Sequence, residues 1–119
     1  MEKILSALSA LRMGRALEEA DLHAAITRIL YESNIAFTHE YRLGPRCRPD
    51  FYAGGIVIEV KKSRPAAALL KRQIERYLSF DEVKGLIVVT QKRVTLPDSI
   101  NNKPVRQIAL DRLWGVSLP

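Results

Sequence analysis

A single cysteine, Cys47, is all this chain of 119 residues contains. An internal disulfide is therefore excluded, as is any cysteine-cluster metal site or iron–sulfur centre, and an intracellular compartment is the default expectation. Histidine is nearly as scarce. His23 and His39 stand too far apart in the sequence to suggest a histidine-based metal site. No apolar run approaches the roughly 20 residues of a membrane span. The opening Met1–Leu11 faintly resembles a signal sequence, but Arg12 and Arg15 interrupt its apolar stretch and no convincing cleavage site follows, so it reads as part of the working chain. Repeats, low-complexity segments and linkers are missing, which points to one domain over 1–119. About two thirds of the unfolded surface can be buried at this size, enough for a real core.

What the chain has in excess is positive charge. Nineteen Lys and Arg face thirteen Asp and Glu, a net charge of +6, and the surplus gathers between Arg42 and Arg76. A polyanionic partner follows, nucleic acid first among them.

Within that basic stretch, Arg48–Lys61 reads as a β-hairpin. Gly54-Gly55 suits a two-residue turn needing positive φ, and the flanking runs are rich in β-branched and aromatic residues. Such a turn pairs Ala53 with Ile56, Tyr52 with Val57 and Phe51 with Ile58, and brings Asp50 opposite Glu59. Side chains alternate across a strand, so Asp50, Tyr52, Val57, Glu59 and Lys61 share one face, while Phe51, Ala53, Ile56, Ile58 and Val60 form a wholly apolar other face. Two carboxylates facing each other with Cβ atoms about 5 Å apart destabilise a hairpin unless something cationic lies between them. Lys61 is one such cation; a metal ion is another.

Around the hairpin, Ile4, Leu5, Leu8 and Leu11 predict an amphipathic helix over about 1–13, whose stripe could close the core or a dimer interface. Residues 17–33 predict a stronger helix, and Phe37–Leu43 a strand, with a bend at Gly44-Pro45. Ser63 and Pro65 suit the cap and first turn of a third helix running to about Phe80, with Leu69, Leu70, Ile74, Tyr77 and Leu78 on its apolar stripe. Leu86–Thr90 predicts a buried central strand and Val105–Leu110 a final one, with loops at Pro97 and Asn101-Asn102. The order is that of an α/β protein, a mixed sheet with helices on its faces.

Taken together, Glu19, Pro49-Asp50, Glu59-Val60-Lys61 and Gln73-x-x-x-Tyr77 resemble the PD-(D/E)xK nuclease superfamily, with the Gln-x-x-x-Tyr element similar to its RecB-like branch. The layout, spanning roughly Glu19 to Leu110, also resembles Holliday-junction resolvases and small phage-type nucleases. The resemblance implies a restriction-endonuclease-like mixed β-sheet flanked by α-helices and a Mg²⁺-dependent nuclease acting on DNA, with Mn²⁺ substituting. Hydrolysis of a phosphodiester needs charge neutralisation and an activated water near neutral pH, both of which a bound Mg²⁺ supplies. Its oxygen ligands would be Asp50, Glu59 and the Val60 carbonyl.

The same resemblance gives Lys61 the role of orienting water or stabilising developing charge, and Gln73 that of positioning substrate. Glu19, which continues the inward face of its helix three positions before Leu22, would assist as a further metal-site acid; Glu18 is its alternative. Tyr77 lies one turn from Gln73 and is a candidate nucleic-acid contact, although a tyrosine so placed more often packs in the core with its hydroxyl satisfied. Arg46, Arg48, Lys62, Arg64 and Arg72 flank the centre as candidate phosphate contacts. Small relatives often pair two sites, so a homodimer is a further expectation. Two rival readings are a catalytically inactive nucleic-acid-binding module of this fold and a subunit of a larger complex. Trp114 reads as a packing residue.

Overall fold

The computed structural model describes residues 1–11, 19–61 and 66–110, with the side chains of Glu19 and Ala20 left aside. Its centre is a six-stranded mixed sheet. Two strands, β2 (Phe51–Ala53) and β3 (Ile56–Lys61), form the hairpin anticipated from the glycine pair, in the expected register: Phe51 faces Ile58, Tyr52 faces Val57 and Ala53 faces Ile56. Gly54 and Gly55 turn the chain with φ of 55° and 91°, conformations that a side chain would strain. At Gly55 a Cβ would also meet Lys84 Cγ at 2.9 Å.

Strand β4 (Gly85–Thr90) lies parallel to β3 and is buried along its whole length, as its unbroken Leu-Ile-Val-Val run requires of a strand covered on both faces. Beyond it, β6 (Lys103–Ala109) also runs parallel to β4. The sheet ends on one side with β1 (Thr38–His39), antiparallel to β2, and on the other with β5 (Ser99–Ile100), antiparallel to β6.

Two helices, α1 (Glu2–Leu8) and α2 (Glu19–Glu32), pack with the Phe51, Ala53, Ile56, Ile58 and Val60 face through Ile4, Leu8, Leu22, Ile26 and Leu30. The opposite face, carrying Val57, Leu86, Val88 and Val105, is covered by α3 (Ala67–Leu78) through Leu70, Ile74, Tyr77 and Leu78. Ile4, Leu8 and Leu11 are buried in the chain's own core, with Leu5 partly buried against it, so these residues of the N-terminal stripe help close the core. No described helix is long and apolar enough to cross a membrane.

Several local expectations are corrected. The strand expected over Phe37–Leu43 pairs only at Thr38 and His39, because Glu40 takes φ = 56° and turns the chain out of line. A narrow turn follows, bridged between Gly44 and Cys47, with Arg46 at φ = 58°. Helix α3 starts at Ala67 with an extended Ala66 as its N-cap, later than the expected Ser63 and Pro65, which lie outside the described residues. Leu69 points away from the core and is exposed. Asn101 and Asn102, at φ of 56° and 60°, form the tight turn between β5 and β6; paired positive φ values are those of a type I′ hairpin. Trp114 lies outside the described residues.

Candidate metal and nucleic-acid site

Strand β2 stops pairing with β3 at Phe51–Ile58, and the site forms where the ladder ends. The residue that would face Val60 in a longer ladder is Pro49, which has no N–H to contribute. Asp50 replaces the missing rung with its side chain: the Val60 N–H donates to Asp50 Oδ2 at 2.7 Å. In return the Asp50 N–H donates to Glu59 Oε1 at 3.2 Å. These two bonds hold both carboxylates beside the same gap. A strand residue's N–H and C=O point to the same side, so the Val60 carbonyl also faces the Asp50 side of β3.

Glu59 is the most constrained member, only 5% exposed in the middle of a sheet face. Its Oε2 accepts a hydrogen bond from Gln73 Nε2 at 3.2 Å and lies 3.3 Å from Lys61 Nζ. Burial, reinforced by the Asp50 charge, pushes its carboxyl up to about 7, while Lys61 and the Asp50 N–H pull in the opposite direction. Gln73 also contacts Tyr77 Oη at 3.2 Å, as the i to i+4 spacing on α3 allows. Tyr77 is itself buried, and burial together with the neighbouring Glu59 charge holds its phenol well above the usual range.

Asp50, Glu59, Val60, Lys61, Gln73 and Tyr77 come together as one connected group. Glu19 opens α2, but its side chain lies outside the described atoms, and Glu18, Lys62 and Arg64 lie outside the described residues. Arg46 and Arg48 line one cleft of about 470 Å³, together with Arg42, Glu59, Gln73 and Tyr77. Arg72 lines a second, of about 510 Å³, with Lys61, Leu69, Gln73 and Arg76. Gln73 borders both, so the carboxylate centre sits between two basic clefts. Arg48 is 3.6 Å from Glu40 in an exposed ion pair, the kind whose contribution is small. Cys47 is buried against the second core cluster, where it packs as a small apolar side chain.

The sequence reading missed the histidines. His23 and His39, sixteen residues apart in the chain, meet with Nδ1 and Nε2 at 3.2 Å, and His23 Nε2 lies 3.7 Å from Asp50 Oδ2. Both rings pack on Phe51, with centroids at 5.4 and 4.8 Å. One signal was available: His23 lies one position after Leu22 and three before Ile26, at the border of the inward face of α2. Its partner is set by the pairing of β1 with β2, which no local pattern announces.

The donor set suits a hard divalent cation. Two carboxylates and a carbonyl are oxygen ligands of the type Mg²⁺ takes, with its remaining positions left to water. A buried carboxylate whose proton affinity is raised by a second carboxylate is also a place where a cation relieves repulsion. Among the described residues, no three His, Cys, Asp or Glu side chains converge on one point. Among the described residues the site therefore offers two acids, Asp50 and Glu59. Comparison with family models, curated proteins and solved structures finds no match to the chain. The functional reading therefore rests on these residues and their resemblance to the nuclease pattern.

Proposed function

We propose that the chain is a metal-dependent nuclease of the PD-(D/E)xK kind, hydrolysing phosphodiester bonds in DNA. The observation that carries this reading is the mutual anchoring of Asp50 and Glu59 across the end of the hairpin, with Lys61 and Gln73 both on Glu59 Oε2. Asp50, Glu59 and the Val60 carbonyl would hold Mg²⁺ or Mn²⁺, with Glu19 assisting; when bound, the ion supplies charge neutralisation at the scissile phosphate and lowers the pKa of water.

The chain's own groups have separate tasks. Lys61 Nζ lies 3.3 Å from Glu59 Oε2, where it can orient an attacking water or stabilise charge developing on the phosphate. Gln73 holds the Glu59 carboxylate from the α3 side and borders both clefts, so it can touch the substrate as well as fix the acid. Arg46 and Arg48 on one side and Arg72 and Arg76 on the other would grip the backbone on either side of the reacting phosphate. A lone, buried, unpaired cysteine suits work inside the cell.

The test is cleavage of labelled duplex, single-stranded, flapped and junction DNA in Mg²⁺, Mn²⁺ or EDTA. Metal-dependent products that Asp50→Asn and Lys61→Ala fail to form are expected. Binding of the same substrates without cleavage by the metal-loaded protein would overturn the catalytic reading and leave a binding module.

A further inference from the structure

Past the end of β4 the chain makes a short excursion, Gln91-Lys92-Arg93-Val94, before it travels to β5. Lys92 and Arg93 are exposed, while Val94 is buried in the second core cluster alongside Leu70 and Ile74 of α3. The excursion is held by one side chain. Gln107, on β6, donates from Nε2 to the Val94 carbonyl at 2.7 Å and accepts at Oε1 from the Val94 N–H at 2.8 Å, so its amide mimics a strand partner for Val94. The same Oε1 accepts from Thr90 Oγ1 at 3.1 Å, tying in the buried last residue of β4. An amide used in this way fixes the position of two exposed cations that would otherwise sit on a free loop.

The location of that clamp relates it to the carboxylate centre. Glu59 pairs with Val88, and Val88 with Gln107, in successive strands. Partners in register project to one face of a sheet, so Glu59, Val88 and Gln107 form a single row, with Gln107 about 10 Å from Glu59 at two strand spacings. In the next row Lys61 is opposite Thr90, so the excursion leaves the sheet beside Lys61. It emerges at the carboxyl ends of the parallel strands, where open α/β sheets take their ligands. The helix that shares this face, α3, contributes Arg72 and Arg76 to the cleft containing Lys61.

We propose that the Gln91–Arg93 turn, clamped by Gln107, is a further phosphate-contacting element that carries the basic track from Lys61 across β4 to β6. Lys92 and Arg93 grip the DNA backbone a few nucleotides from the reacting position, and Gln107 is a positioning residue for them. This rests on the nucleic-acid reading of the Asp50–Glu59 site and adds to it a binding surface that lies outside both basic clefts.

The experiment is duplex DNA affinity over a salt series, with Ca²⁺ in place of Mg²⁺. It compares the unmodified chain, Lys92→Ala with Arg93→Ala, Gln107→Met, the three changes combined, and a charge control, Arg28→Ala with Lys84→Ala. Arg28 is exposed on α2, across the sheet, and Lys84 precedes β4 at its far end. Removing Lys92 and Arg93 should weaken binding about tenfold or more for every sequence and lower the log–log salt slope by about one to two. The control should change little. Gln107→Met should weaken binding while all charges remain, and should add nothing once Lys92 and Arg93 are gone, because the cycle closes on a shared contact.

Loss no greater than in the control, or full additivity of Gln107→Met with the double replacement, would overturn the proposal while the nuclease reading stands. An unmodified chain that binds no DNA at all would overturn both.

Discussion

Asp50 and Glu59 anchor each other through the backbone: the Asp50 N–H donates to the Glu59 carboxylate, and the Asp50 carboxylate accepts from the Val60 N–H next door. Like charges are thereby held together by bonds that neither could keep if it moved away. Such an arrangement costs stability in the absence of a cation, and that cost is what makes it readable.

Burial of Glu59, with the Asp50 charge adding to it, has a pH signature. Glu59 titrates at about 7 in the folded chain against 4.5 for a free side chain. The folded state therefore binds the extra proton between those values, so the contribution of Glu59 to stability is full below pH 4.5 and is lost as pH rises through about 7. The shift corresponds to a difference on the order of 3 kcal/mol. Thermal unfolding in EDTA at pH 5 and pH 8 should show Glu59→Gln removing most of this slope and being the more stable protein at pH 8. An unchanged slope in the variant would assign the pH dependence to other groups.

Lys61→Ala should retain fold and DNA affinity while losing cleavage by about a hundredfold or more, since its charge serves the reaction and other cations serve binding. The check is single-turnover cleavage at saturating protein, beside a binding isotherm. Normal cleavage would refute the role; lost binding would move Lys61 among the backbone contacts.

Gln73→Leu deletes the donor shared by Glu59 and Tyr77. Groups that orient a ligand from behind typically contribute 10- to 100-fold in metal affinity or activity, and a loss in that range is expected. Mn²⁺ affinity and the cleavage rate at saturating metal separate the two routes. A variant unchanged in both would make Gln73 a packing residue only.

The clefts bring a charge prediction. Arg46→Ala with Arg48→Ala should flatten the salt dependence of DNA affinity by about 0.9 per lost phosphate contact, to a similar degree for every sequence. Sequence-selective losses would mean that these side chains read bases instead.

Much of this was legible beforehand because it depends on short-range geometry. The Gly54-Gly55 turn sets the register, and the register alone puts Glu59 and Lys61 on the face opposite Phe51 and Ile58. The third helix kept Leu70, Ile74, Tyr77 and Leu78 inward, while Leu69, expected on the same stripe, is exposed. What was not legible depends on backbone choices with weak local signatures or on distant pairing. Glu40 turning left-handed ended β1 early, and nothing in the residue type announces that. The paired asparagines at 101–102 announced only a loop, and two-residue strands such as β5 are too short to show the alternation that would have made it a hairpin. His23 and His39 meet because β1 docks beside the N-terminal part of α2. The Gln107 clamp depends on three strands in parallel register, which no window of sequence contains.

The most direct test is a calorimetric titration of Mn²⁺ into the unmodified chain, Asp50→Asn and Glu59→Gln at pH 7.5. Both replacements keep an acceptor oxygen for the backbone bonds while removing the charge. The unmodified chain should bind Mn²⁺ saturably, with a fractional proton release as the cation displaces the proton from the protonated fraction of Glu59, and each variant should lose that binding. Equal Mn²⁺ affinity in all three proteins would contradict it, because the two carboxylates would then have been brought together for something other than a metal ion.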